Sequence, residues 1–329
     1  MDNEAWIADL VLEGGGVKGI GLVGAVAALH DKGYEFGAPG RVAGTSAGAI
    51  VGSLIAAGLP VPAMVKLMRE LDYRRFRDSP PLGLLGRGAS LLTALGIYRG
   101  DYLHRWIAER LAGCGVRTFR DLKLADPGSD LPPERAYRLV VVVSDVSNGR
   151  MLRLPWDYPQ YGLDPDEQPV ADAVRASASI PFYFRPFPLT LPDGGGRVLC
   201  TDGGMLSNFP VHIFDRYDRQ PRWPTFGVKL SARPPQGRWG AAMPAVRGPI
   251  GFARALVTTM VEAHDRLDLD DPAVCARTVF VGTDGVNATD FGLSEASRDE
   301  LYQAGRYAAK DFLAGWDFAE YLRRYRPSS

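Results

Sequence analysis

Val42-Ala43-Gly44-Thr45-Ser46-Ala47-Gly48-Ala49-Ile50-Val51-Gly52-Ser53-Leu54-Ile55-Ala56-Ala57-Gly58 reads in three pieces. Val42-Ala43 is a short apolar run of strand type, and the residues from Ala49 onward are apolar and helix-like. Between them, Gly44-Thr45-Ser46-Ala47-Gly48 sets one hydroxyl between two glycines. Glycines here let the chain turn sharply from strand to helix, which lifts Ser46 out of a sheet at the positive end of a helix, where an anionic intermediate is favoured. This is a nucleophile elbow, and an elbow of this kind sits on an α/β sheet. An isolated G-x-S-x-G also arises by chance, because small residues serve close helix packing, so its surroundings carry the argument.

A second glycine cluster lies upstream. Gly14-Gly15-Gly16-Val17-Lys18-Gly19 follows the strand-like Ala8 to Glu13 and opens a helix-like run from Gly21 to His30. Consecutive glycines free the backbone to aim several N–H groups at one point, as an oxyanion hole requires. The same letters fit a dinucleotide-binding turn, with Gly14, Gly16 and Gly19 in G-x-G-x-x-G spacing and Glu35 near the position of a ribose-binding acid. That acid should end the second strand, yet Glu35 precedes Gly37-Ala38-Pro39-Gly40 and the next strand runs into Ser46. A phosphate-binding P-loop fails too, since no Gly-Lys-Ser/Thr follows the glycines.

Far downstream, Asp202-Gly203-Gly204 follows the strand-like Val198-Leu199-Cys200. Glycine loop, elbow and Asp-Gly-Gly turn, in this order, resemble the patatin-like phospholipases, lipid acyl hydrolases whose pattern is G-G-G-x-K/R-G, G-x-S-x-G and Asp-Gly-Ala/Gly. Ala176-Ser177-Ala178-Ser179-Ile180-Pro181 and Asn208-Phe209-Pro210 look like family segments as well, so the resemblance spans about residues 8 to 230, with a C-terminal helix at about 297–325 as a family ending. Gly204 stands where alanine is the commoner family choice. The resemblance implies a single domain over 1–329 built as a three-layer α/β/α sandwich with a mostly parallel central sheet. It implies Ser46 as nucleophile and Asp202 as base, an oxyanion hole from Gly14, Gly15, Gly16 and Ala47, and support from Lys18, Gly19, Gly44, Gly48, Gly203 and Gly204. No cofactor and no metal is called for. The expected substrate is a membrane lipid or lysophospholipid, cleaved as by a phospholipase A or lysophospholipase. An acyltransferase or small-ester esterase on the same dyad, and a nucleotide-gated effector phospholipase, stand as alternatives.

Composition fits this reading. The 329 residues are 46% hydrophobic, enough for a sizeable core, and Lys plus Arg equals Asp plus Glu at 38 each. Zero formal charge argues against nucleic acid as partner and against bulk electrostatic attraction to membranes, leaving local apolar contact as the route to lipid. Cys114, Cys200 and Cys275 have no metal-ligand spacing and suit a reducing compartment. The acidic N-terminus lacks a long apolar segment, so the expectation is a cytoplasmic protein with peripheral membrane contact. Oligomeric state is left open.

Strand-like runs at Asp9 to Leu12, Arg41 to Ala43, Arg138 to Ser144, Met151 to Leu154, Val198 to Cys200, Phe226 to Leu230 and Thr278 to Val281 alternate with helical patterns. Helices are expected over Asp101 to Leu111, opened by an aspartate cap, and over Asp299 to Leu313, introduced by a capping box at Ser297 to Glu300. Asp78 to Gly96 and Ala232 to Pro249 interrupt the rhythm as excursions from the sheet.

For the base, a Ser…Asp…His triad competes with the dyad, but only His212 and His264 follow Asp202, and neither lies in a motif. Lys18 is read as support for the glycine loop, and Asp145 as a turn acid. Leu82, Leu84, Leu85, Leu91, Leu92 and Leu95 suit a mobile acyl wall or membrane rim as well as they suit core packing. Phe182, Tyr183, Phe184 and Phe187, like Trp156, Tyr158 and Tyr161, have core packing as their default role, with an acyl pocket as the alternative.

Overall fold

The computed structural model describes residues 6–78, 95–231 and 271–327 apart from 127, 130, 217 and 284, together with 252, 255 and 259. Among the described residues eight strands make one sheet: β1 (Asp9–Leu12), β2 (Val42–Thr45), β3 (Leu139–Asp145), β4 (Arg150–Leu154), β5 (Phe187–Thr190), β6 (Arg197–Asp202), β7 (Thr225–Lys229) and β8 (Thr278–Phe280). The run β8-β7-β1-β2-β3 is parallel throughout. β6 and then β5 continue it antiparallel, while β4 returns antiparallel along β3.

Parallel strands are buried on both faces and so read as unbroken apolar runs. β3 is the clearest case, four consecutive valines within seven fully buried residues. Alternate residues go to opposite faces. Leu10, Leu12, Val42, Val141 and Val143 join the main core with helices α1 (Gly19–Asp31), α2 (Ala47–Ala56) and α3 (Val61–Glu70). Val11, Ala43 and Val140 meet Phe209, Val211, Phe214 and Val274 on the other face, the last from helix α6 (Pro272–Ala276). A sheet with helices on both faces is the three-layer arrangement expected, and five of its eight strands are mutually parallel.

Helices α4 (Asp101–Gly113) and α5 (Val170–Ser177) precede α6 in the chain, and α7 (Glu295–Ala314) and α8 (Phe318–Tyr325) follow it. The single helix expected at about 297–325 is thus two. The break at Gly315-Trp316-Asp317 lets Asp317 cap the second, accepting from the Glu320 amide at 2.6 Å. α7 also begins a turn earlier than its expected capping box, because Ser294 is the cap and accepts from Ser297 N at 3.1 Å. Nor does Asp101 cap α4: Asp78, 22 residues before Gly100, takes the amides of Gly100 and Tyr102 at 2.7 and 3.0 Å. β5 escaped the sequence reading because Pro188 interrupts it, as an edge strand allows. Leu82, Leu84, Leu85, Leu91, Leu92, the excursion from Ala232 to Pro249 and His264 lie outside the described residues. Among the described residues no helix is long and apolar enough to cross a membrane.

Candidate active site

The two edges of β3 bring the distant motifs together. Val142 pairs with Thr45 of β2 and with Arg153 of β4, while Val143 pairs with Asp202 of β6 and with Leu152 of β4. β4 fills one edge, so β2 and β6 share the other. They run in opposite directions and meet end to end, Thr45 against Val142 and Asp202 against Val143. Ser46, the next residue after Thr45, is therefore delivered to Asp202 by strand register.

Ser46 stands between β2 and α2 with φ 52 and ψ −118. A non-glycine residue there stores backbone strain, of order 1–3 kcal/mol, which only tight surroundings maintain. Those surroundings need the flanking glycines: a Cβ on Gly44 would lie 2.3 Å from the Gly48 carbonyl oxygen, and one on Gly48 would lie 2.2 Å from that of Leu12. The Ser46 amide donates to Ser177 Oγ at 2.8 Å, and that hydroxyl donates to the Val142 carbonyl at 2.6 Å. Ser177 thus pins the elbow to β3, a role that the sequence does not show, where its segment only looks like a family segment.

The Ser46 hydroxyl hydrogen-bonds the Asp202 carboxyl group. Both residues are buried, at 3% and 8% exposure. Asp202 donates its amide to Ser179 O at 3.0 Å and accepts the Gly204 amide on Oδ1 at 2.9 Å. Burial raises its pKa to about 6, against the opposing pull of the hydrogen bonds from Ser46 and Gly204. A carboxylate near that value is a stronger base than a solvated aspartate and is still ionised at pH 7. If Asp202 is the base for Ser46, as the resemblance implies, its protonated form cannot take the proton, and kcat/KM for an ester should have an acid limb with an apparent pKa near 6, falling tenfold per pH unit below it. A limb near 4 would mean that the working carboxylate is solvated.

In the glycine loop, one expected oxyanion donor must be withdrawn. Gly14 lies beside Ser46, but its amide donates to the Asn208 carbonyl at 3.1 Å and is not free for an oxyanion. The amides of Gly15 and Gly16 have no such partner among the described residues, and that of Ala47 is a first-turn helix donor. Gly16 has φ +55, and a Cβ there would meet the Ala288 carbonyl oxygen at 2.0 Å; at Gly15 the obstacle at 2.4 Å is a movable methyl of Leu230. If Gly16 is an oxyanion donor, as the sequence leads one to expect, Gly16→Ala should lower kcat by roughly 10²–10³, the usual loss of one such donor, with KM little changed and Gly15→Ala milder. Steady-state kinetics with equal losses in the two variants would remove Gly16 from the site.

Several supporting groups had no signal in the sequence. Glu13, just before the loop, forms an ion pair with Lys229 at the end of β7, and both are buried. Glu13 also accepts from the Leu230 amide and, at 3.2 Å, from Asn208 Nδ2. Removing one partner of a buried pair typically costs about 3–5 kcal/mol, so this network fixes the loop to the sheet. Arg175, also buried, donates to the carbonyls of Arg99, Gly100 and Arg185 and to Ser179, whose own carbonyl holds Asp202. Burial lowers its pKa to about 10, leaving it charged. Lys18 contributes to the loop through its amide, which donates to Gly15 O at 3.1 Å.

The rivals fall elsewhere. His212 Nδ1 bonds Asp215 at 2.7 Å beside Arg277, which precedes β8 at the edge of the sheet opposite Ser46. Asp145 is a turn acid, accepting from the amides of Ser147 and Asn148 and from Tyr161. Glu35 lies in a short strand paired with Trp6–Ile7, off the main sheet. Of the aromatic residues, Phe184 and Tyr158 are core, whereas Phe182 is 43% exposed with φ +66 and pairs with Gly96, the residue after Leu95, which is 53% exposed with φ +58.

A family model described as patatin-like phospholipase matches residues 10–215, more than half the chain and all three motifs. The chain belongs to the patatin-like phospholipase family. Among its relatives, the uncharacterized protein YqhO of Bacillus subtilis is 37% identical over 314 residues, covering 94% of this chain and 99% of its own. Uncharacterized protein R571 of Acanthamoeba polyphaga mimivirus is 25% identical over 213 residues, 65% of this chain and 63% of that one. The crystal structure of VipD from Legionella pneumophila superposes with a TM-score of 0.51 at 18% identity, over 93% of this chain and 66% of VipD, and supports the fold. Membership makes this patatin-like phospholipase one of a family of lipid acyl hydrolases.

Proposed function

We propose that this chain is a lipid acyl hydrolase of the phospholipase A or lysophospholipase type, working through Ser46 and Asp202 in a single domain over 1–329. The observation that carries the reading is the end-to-end meeting of β2 and β6 on one edge of β3, which hydrogen-bonds the hydroxyl of a strained elbow serine to a buried carboxyl group. The one-domain reading rests on β7 and β8, which lie beyond residue 215 yet pair within the same sheet.

In this scheme Ser46 Oγ attacks the ester carbonyl carbon as its proton passes to the Asp202 carboxylate. The amides of Gly15, Gly16 and Ala47 hold the negative oxygen of the tetrahedral intermediate. Collapse breaks the ester C–O bond, and Asp202 returns the proton to the departing alcohol. Water then loses a proton to Asp202, attacks the acyl-Ser46 carbonyl and releases the fatty acid, and the proton goes back to Ser46.

Phe182 follows Ser179, the carbonyl partner of Asp202, by three residues, and with Leu95 it offers exposed apolar surface close in sequence to the site. Such surface suits acyl methylenes or the interface of a membrane, each buried methylene contributing about 0.8 kcal/mol. Activity should thus rise with acyl length, long-chain phospholipid or lysophospholipid exceeding short soluble esters, and should persist in excess EDTA. Mass spectrometry of products from mixed phospholipids tests this. Equal kcat/KM from four to sixteen carbons would favour a small-ester esterase, and acyl transfer to added glycerol in preference to water would favour an acyltransferase.

A further inference from the structure

The end of α5 carries three residues, spaced two apart, that reach three different parts of the site. Ser177 Oγ takes the Ser46 amide at 2.8 Å, and the Ser179 carbonyl takes the Asp202 amide at 3.0 Å. Arg175 reaches the third. Its guanidinium donates from Nε to Gly100 O at 3.0 Å, from Nη2 to Arg99 O at 2.7 Å and Arg185 O at 3.2 Å, and from Nη1 to Ser179 Oγ. Arg99 and Arg185 directly follow Gly96–Tyr98 and Phe182–Phe184, the two strands of a short parallel ribbon outside the main sheet. One side chain thus gathers both strand ends of the ribbon and ties them to the residue whose carbonyl holds Asp202.

The fit around Arg175 is close. Gly100 has φ +77, and a Cβ there would meet the guanidinium Nη2 at 2.2 Å, so this approach requires glycine. Asp78 grips the same turn from its amide side, through Gly100 and Tyr102. The guanidinium carbon also lies over the Phe184 ring, 5.3 Å from its centroid. The oxygens that Arg175 donates to are three carbonyls and a hydroxyl, while Asp78 and Asp101 act on it through space. A buried cation held by neutral groups is costly, and an apolar side chain of similar volume would pack as well. What the planar guanidinium adds is a fixed spacing among four oxygens. At the other end of the ribbon, Phe182 and Leu95 expose apolar side chains on backbone with φ +66 and +58. Such strain persists only where surrounding structure holds it.

We propose that Arg175 is a positioning residue for ester cleavage, seating the ribbon that carries Phe182 and Leu95 and the base Asp202 on one support, so that an acyl chain on the ribbon stands in register with the dyad. The inference rests on the Ser46–Asp202 reading of the site. Arg175 touches no reacting atom and acts through Ser179 and the two strand ends. Loosening it therefore has two separable effects. Displacement of the base lowers kcat for every ester, whereas displacement of the ribbon raises KM for long acyl chains alone. Burial, not a neighbouring charge, is what raises the pKa of Asp202. A base less firmly held against Ser179 gains water, and its pKa falls towards the ordinary carboxylate range.

Arg175→Lys keeps the charge and loses the fork. Steady-state kinetics on butyryl and palmitoyl p-nitrophenyl esters from pH 4 to 8, on samples shown to be folded by circular dichroism, test the proposal. The variant should lower kcat for both esters by about tenfold to a hundredfold, the scale of a small misplacement at a reacting centre, and raise KM severalfold for the palmitoyl ester only. The acid limb of kcat/KM should move from near 6 towards about 4. Gly100→Ala, which pushes the guanidinium aside without altering it, should change all three quantities in the same direction, and Ser179→Ala should do so to a smaller degree. Where Arg175→Lys does not fold, Gly100→Ala and Ser179→Ala decide on the same measurements. Folded variants with unchanged kcat overturn the proposal. So does a kcat that falls equally for both esters while KM and the acid limb stay in place, since that is the signature of a merely structural role. A wild-type enzyme with no acid limb near 6 would remove the dyad and this inference with it, whereas a wild-type limb near 6 that the variants leave unmoved removes Arg175 alone.

Discussion

Ser46→Ala should abolish ester turnover, with kcat down by about 10⁶, the usual loss of a catalytic nucleophile, and should abolish labelling by a fluorophosphonate. The fold should survive. Alanine faces the same backbone strain at φ 52 that serine does, and the amide bond to Ser177 that pins the elbow is a backbone contact the substitution keeps. What goes is the hydrogen bond to Asp202 and the attacking oxygen. Turnover and active-site labelling on matched, folded samples decide the matter, and undiminished labelling at another serine would falsify the assignment. Ser46→Gly sharpens the test, because glycine accepts positive φ freely. That variant should be equally inactive yet more stable than Ser46→Ala, a combination expected only where function holds the backbone under strain.

The elbow was legible in the sequence because its requirements are local. Gly44 and Gly48 flank Ser46 within five residues, and the close backbone contacts that exclude a side chain at each are made within β1, β2 and α2. The buried parallel strands were legible for a related reason: a run such as Val140 to Val143 has no polar face to place in water. Pairing was not. That Asp202 abuts Ser46 follows from a one-residue register along β3, Val142 to one and Val143 to the other, which no pattern in either segment encodes. The same holds for Glu13 and Lys229, two charged residues that look like surface positions until β7 is laid beside β1 and both are buried. The sequence cannot show that the Gly14 amide is taken up by the Asn208 carbonyl, nearly two hundred residues away, and is therefore no oxyanion donor. The cap of α4 is hidden in the same way, since Asp78 is far from it in sequence while the adjacent Asp101 looks sufficient.

Asp202→Asn should be nearly as damaging as loss of the nucleophile, because in a dyad one carboxylate serves both acylation and deacylation. The expected fall in kcat is on the order of 10⁴–10⁶, with His212→Ala retaining most activity, since His212 is engaged with Asp215 at the far edge of the sheet. The same substitution should change stability in the opposite direction. Burial raises the folded-state pKa of Asp202 to about 6, above its value in the unfolded chain, so the native state binds this proton more tightly. Its contribution to stability is therefore fully present below about pH 4, is lost as the pH rises through 6, and leaves a buried negative charge at pH 7. An amide of the same shape carries no such charge, so Asp202→Asn should raise stability at neutral pH by roughly 1–3 kcal/mol and flatten the decline between pH 4 and 7. Denaturant unfolding of both proteins at pH 4, 5.5 and 7 measures it. A variant less stable than wild type at pH 7 would mean that Asp202 is held by its hydrogen bonds more strongly than burial opposes it, and an inactive His212→Ala that still folds would replace the dyad with a triad.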